Sequence, residues 1–151
     1  MAAGLTVRWD KVDEFRAFMR EALTSELAAA EGEARTIWID AVASVSACTL
    51  DLMNAIDRIG PYGAGHPDPL FALSDVRVTY SSMTKGDHVR CVLEDSRGGR
   101  MRAIAFRAGT NGLGEALLKK EHPLHVVVKL KRDTYGGSDK VEAEILDGAF
   151  A

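Results

Sequence analysis

The stretch Asp87-His-Val-Arg-Cys-Val-Leu-Glu-Asp95 sets Val89, Cys91 and Leu93 on one parity and His88, Arg90 and Glu94 on the other. A period of two is what a strand shows when one face is buried and the other meets water. The same alternation returns at 73–82, 100–107, 124–131 and 140–146. In the fourth of these five runs Val126, Val128 and Leu130 face one way, with Lys129 and Lys131 opposite; in the fifth Val141, Ala143 and Ile145 turn inward. Turn residues separate the runs: Lys85-Gly86-Asp87, Ser96-Arg-Gly-Gly99 and Tyr135-Gly-Gly-Ser138. Only the gap 108–123 can hold a helix, expected at 114–120. Three strands, a helix and two strands is the order of a five-stranded OB-fold β-barrel, an order that SH3-like barrels share in part.

Upstream the pattern is helical. Leu5-Thr-Val-Arg8 reads as a short strand, and Asp10 as the N-cap of a helix with Val12, Phe15, Phe18, Met19, Ala22, Leu23 and Leu27 on one face. Gly32 is expected to stop it. Residues 35–40 alternate like a strand. A second helix is expected over 49–59, with Leu50, Met53 and Ile56 at helical spacing, ending at Gly60-Pro61. The run Gly60-Pro-Tyr-Gly-Ala-Gly-His-Pro-Asp-Pro69 reads as a rigid connector and domain boundary, because each proline fixes φ and extends its predecessor. It fits no phosphate-binding loop, since the prolines remove the amide donors a cradle needs. The fold class is therefore α+β.

Charge divides the chain. Residues 1–75 hold 6 Lys/Arg against 12 Asp/Glu, and residues 76–140 hold 13 against 7, so the net charge of −3 conceals a basic segment behind an acidic one. A basic segment of this kind is a candidate polyanion binder. Cys48 and Cys91 stand far apart without a CxxC or Cys/His partner, as reduced core cysteines of a cytoplasmic protein do. No apolar run reaches the roughly 18 residues of a membrane span.

Binding a single strand takes cations to follow phosphates and aromatic faces on which bases stack. The barrel segment offers Arg77, Arg90, Arg102, Lys129, Lys131 and Arg132 for the first, and Tyr80 and Tyr135 as its outward aromatic residues for the second. His88 shares the face of Arg90. A two-metal nuclease needs clustered Asp and His residues, and none is found: Asp87-His88 stands alone, and Pro123 puts His122 and His125 in a loop entering a strand. No catalytic or metal-ligating residue is expected.

The segment Ile59-Gly-Pro-Tyr-Gly-Ala-Gly-His-Pro-Asp-Pro-Leu-Phe71 resembles one in RecJ exonucleases that reads L-x-P-F-G-x-G-N-P-x-P-x-F, with Tyr62 where Phe is usual and His66 where Asn is usual. The runs 88–95, Arg102-Ala-Ile-Ala-Phe106 and 135–147 also resemble that family. Met1-Ala-Ala-Gly-Leu-Thr-Val7 is similar to the tail of its Gly-Gly-His-Ala-Met-Ala-Ala-Gly loop, which lies in the DHH-associated domain. The resemblance implies three parts: 1–40, a strand and helix remnant of that domain; 41–69, helix and connector; and 70–151, an OB-fold that binds single-stranded DNA. It also implies that Met1 is an internal methionine of a longer protein. The 5′-to-3′ exonuclease core of recombination and repair, with its Asp-His-His motif and its Mn2+ or Mg2+, would then lie elsewhere, leaving this chain non-catalytic and without a cofactor of its own. Single-stranded DNA is the implied partner, alongside the catalytic core or a single-strand-binding protein. A protein-interaction module and one half of a split exonuclease are the alternatives.

Overall fold

The computed structural model describes residues 4–34, 36–134 and 139–151, and side chains throughout except in 25–34. The turn expected at 135–138, the side chain of Leu27 and residue 35 of the expected early strand lie outside these. The chain divides into two compact units, one ending at Trp38 and the other running Ile39–Ala151.

In the first unit a 3-10 turn, Trp9–Lys11, leads into helix α1, Val12–Ala34. Asp10 is not the N-cap. It lies inside the 3-10 turn, whose own N-cap is Arg8 in extended conformation with φ −63° and ψ 139°, and its carboxylate pairs with the Arg8 guanidinium instead. The strand expected at 5–8 is absent, and α1 runs through Gly32 to Ala34. Glycine inside a helix costs about 1 kcal/mol relative to alanine, which the alanine-rich turns before it offset. Val12, Phe15 and Leu23 are half-buried, whereas Phe18 is 62% exposed.

The second unit is built around a closed ring. Its strands are β1 (Ala41–Ala43), β2 (Leu70–Thr84), β3 (His88–Glu94), β4 (Arg100–Ala105), β5 (Leu124–Asp133) and β6 (Lys140–Phe150). They lie in the order β1-β2-β3-β4-β6-β5, and β5 pairs back onto β2. The last five strands thus form the expected OB-type ring, with β1 added parallel to β2 through Ala41–Phe71 and Ala43–Leu73. The strand expected over 35–40 falls at 41–43. Asp40 fixes its start, donating its N–H to Leu70 O at 2.9 Å and accepting the Leu70 N–H on its carboxylate at 2.8 Å.

One long strand makes closure possible. Residues 70–76 of β2 pair with β5, and residues 77–84 pair with β3. The register slips between Leu73 and Val76, where Asp75 takes a left-handed φ of 53°, and again between Val78 and Tyr80. Such bulges bend a strand and tighten its twist, which a small ring requires.

Val89, Cys91, Leu93, Val126, Val128 and Ala143 turn inward and are almost wholly buried, as the alternation predicts. Helix α2, Leu50–Ile59, is capped by the Thr49 hydroxyl, which accepts the Leu52 N–H; it lays Met53 and Ile56 on this core. Helix α3, Gly112–Lys119, is capped by Asn111 and contributes Leu117. Arg132, near the end of β5, bonds Asn54 and Asp57 of α2, whereas α3 approaches Gly148, near the end of β6, through Leu113. Since β5 and β6 are antiparallel, the two helices cover opposite ends of the ring. The connector belongs to the same unit: Tyr62 packs on the core, donates its hydroxyl to Ile56 O at 2.6 Å and stacks on His66 at 4.9 Å.

Candidate nucleic-acid interface

With the apolar sets turned in, the outer residues of neighbouring strands fall into rows. One row reads Tyr80, Val92, Arg102, Glu142, Lys131 across β2, β3, β4, β6 and β5; the next reads Ser82, Arg90, Ile104, Glu144, Lys129. Adjacent members of a row have Cβ atoms about 5 Å apart, so one nucleotide spans several of them. A groove of about 280 Å³ opens across these rows, lined by Tyr80, Ser82, Arg90, Val92, Arg102 and Glu142. Tyr80 is 59% exposed, and Arg90 and Arg102 are exposed beside it.

The cations of this face are not equivalent. Arg102 is paired with Asp133, Lys131 with Glu144, and Lys129 with Asp68. Arg90 and Arg77 pair with no described residue. Exposed pairs contribute at most about 1 kcal/mol, so a phosphate can displace the carboxylate from Arg102 or Lys131. Arg90 needs no displacement. Arg77 lies one row out, opposite Glu94, which binds Arg100.

His88 borders the groove on its other side. Its Nδ1 accepts the Arg107 N–H at 3.0 Å, and its ring meets Phe106 edge-on at 5.1 Å. Phe106 is 48% exposed, with Lys131 Nζ 5.9 Å from its ring centroid. It corrects the expectation that the outward aromatics are Tyr80 and Tyr135 alone. The signal was present in the sequence, since Phe106 shares the parity of Arg102 and Ile104. Tyr135 lies outside the described residues. Tyr80, Arg90 and Arg102 are therefore brought together, Lys129 and Lys131 rise from β5 beyond β6 with Lys131 reaching back to Phe106, and His88 and Arg77 flank the groove.

The other groups singled out in the sequence have local partners. His125 Nδ1 accepts the Asp75 N–H at 3.1 Å, and His122 meets Phe150 edge-on at 5.7 Å. Cys48 and Cys91 are buried thiols, pushed up by that burial to about 11 and about 12. Among the described residues no three His, Cys, Asp or Glu side chains are placed to hold a metal ion. Of the described helices none is long and apolar enough to cross a membrane.

The family model of the RecJ OB domain matches residues 39–147, most of the chain and all of the closed ring but the last three residues of β6. This chain belongs to that family. Curated proteins give no match. Among solved structures, RecJ from Thermus thermophilus in complex with Mn2+ is similar at TM-score 0.58 and 19% identity, over 87% of this chain and 20% of that one. RecJ from the same organism in complex with Mg2+ is similar at TM-score 0.50 and 21% identity, over 66% of this chain and 14% of that one. Rim1, a mitochondrial single-stranded DNA binding protein of S. cerevisiae, gives a looser likeness, with TM-score 0.35 and 9% identity over 52% of this chain and 92% of its own. The chain spans a fifth or less of the RecJ chains it matches. The RecJ likenesses carry the fold, and in an OB ring the second and third strands, here β3 and β4, carry the face on which oligonucleotides bind.

Proposed function

We propose that this RecJ OB domain holds single-stranded DNA in the groove across β2, β3 and β4. One observation carries the reading: a stacking ring, Tyr80, and two guanidiniums, Arg90 and Arg102, converge in one open groove on the β3–β4 face. Bases stack on tyrosine whatever their identity, and guanidiniums follow phosphates, so binding is sequence-tolerant and salt-sensitive. Phe106, beside His88, offers a second ring along the same face. In the same reading the module serves a cytoplasmic 5′-to-3′ single-strand exonuclease of recombination and repair. Hydrolysis and the Mn2+ or Mg2+ that supports it belong to the core of that enzyme, which delivers the strand to the module or receives it from there.

The test is a fluorescence-anisotropy titration of the chain against a labelled single strand and its duplex over a salt series. The single strand is expected to bind more tightly, with log K falling linearly in log salt. Equal affinity for the duplex, or no binding at low salt, overturns the proposal.

A further inference from the structure

The groove has an acidic wall. Glu142 and Glu144 project outward from β6, one in each of the two rows described above, Glu142 between Arg102 and Lys131 and Glu144 between Ile104 and Lys129. Glu144 is engaged by Lys131, but Glu142 is half-buried, lines the groove and bonds no described residue. Its cross-strand neighbour Arg102 turns instead to Asp133. A carboxylate without an ion-pair partner among the described residues thus sits beside the guanidiniums that are to meet phosphate. No fold requirement explains it, since the position is on the outer face and the core closes through Ala143 and Ile145.

We infer that Glu142 and Glu144 form a fence that confines the strand to β2, β3 and β4 and keeps it off β5, holding affinity below what the cations could give. This rests on the reading that the groove takes single-stranded DNA. Its physical basis is like-charge repulsion. At the spacing of neighbouring strands a phosphate passing over β6 would lie near both carboxylates, and one such encounter corresponds to about a five-fold change in affinity. Lys129, held by Asp68, then stands outside the track while the fence is charged, and Lys131, which reaches over β6 towards Phe106, is held by Glu144. Arg90, unpaired among the described residues and on the near side, lies on it.

Neutralising the fence tests this. Glu142→Gln keeps shape and removes charge. It is expected to tighten single-strand binding about five-fold at low salt, with the gain fading as salt screens the repulsion. Glu142→Gln combined with Glu144→Gln also releases Lys131, and is expected to steepen the salt dependence by about 0.7 in the log–log slope, one further phosphate contact. Asp75→Asn is the charge control. It makes the same change in net charge about 16 Å along β2 from Tyr80, and asparagine tolerates the left-handed φ of 53° found there. Thermal unfolding checks that each variant is folded. A Glu142→Gln affinity equal to that of Asp75→Asn overturns the fence while leaving the groove standing. Binding by neither the parent chain nor the double variant overturns both.

Discussion

At Arg90 the side chain is exposed, unpaired among the described residues and set between Ser82 and Ile104 in its row. Replacing it with alanine is expected to weaken single-strand binding and to lower the log–log salt slope by about 0.7, the share of one phosphate on a single strand; an unchanged slope in the anisotropy series removes it from the contact set. Tyr80→Ala is expected to cost about 1–3 kcal/mol of binding, as lost base stacking does, while leaving the slope as it was. That contrast separates stacking from charge in one experiment. Gly114 matters for a different reason. A Cβ there would lie 1.8 Å from Ala108 O, so the first turn of α3 approaches the backbone more closely than any side chain permits. Gly114→Ala is expected to destabilise the domain by about 1–3 kcal/mol, the usual cost of overpacking, read as a lower urea midpoint. Parity made most of these residues legible. Arg90, Arg102 and Tyr80 could be placed on an outer face from alternation alone. Their carboxylate partners could not: Asp68 and Asp133 reach Lys129 and Arg102 across the sheet, and a pattern of two says nothing about neighbours far apart in sequence.

Among the elements, α2, α3 and the five ring strands lie close to where the sequence predicts, whereas α1 passes both the Asp10 cap and the Gly32 stop that local chemistry offered. Helix α2 has Thr49 and Gly60 at its ends, and α3 has Asn111. One strand that depends on a distant partner is displaced. The short strand β1 begins where Phe71 offers a partner, not where Thr36-Ile-Trp-Ile39 alternates, and Trp38 is left 85% exposed. The turn between β3 and β4 depends on Asp95, whose carboxylate accepts N–H groups from Ser46 at 2.9 Å, Gly99 at 2.8 Å and Arg97 at 3.0 Å. These bonds, that from Ser46 foremost, hold its pKa below the usual carboxylate range. A carboxyl depressed in the folded state stabilises fully above its unfolded pKa, near 3.9, and loses that contribution as pH falls through the lower folded value. Asp95→Asn is therefore expected to lower the thermal midpoint at neutral pH and to flatten its fall below about pH 4. Parallel curves for variant and parent between pH 5 and 2 would count against this role. Gly99 completes the turn, because a Cβ there would lie 2.6 Å from Ser46 N.

For the molecule as a whole, the two units differ in what protects them. In the ring, side chains from five strands and two helices share one core. In the described part of α1 no side chain is fully buried. Hydrogen exchange is expected to be fast along α1 and slowest at the centres of β3 and β5, since local opening is easiest where few apolar contacts oppose it; equal protection in both would contradict this. The ring also has a seam. Leu70 faces Lys129 and Val76 faces Leu124, so the pairing that closes it joins residues some fifty to sixty positions apart, and β6 must still enter between β4 and β5. During synthesis β2, β3 and β4 emerge first as a three-stranded meander with its apolar side open to water. Of what is made up to that point, α2 can cover one end of it with Met53 and Ile56, and the rest waits for β5 and β6. The final stretch of translation therefore decides whether the earlier strands are held or left to associate with other chains, and a ribosome that stalls before β5 releases a product with the proposed binding face already drawn and most of its interior uncovered.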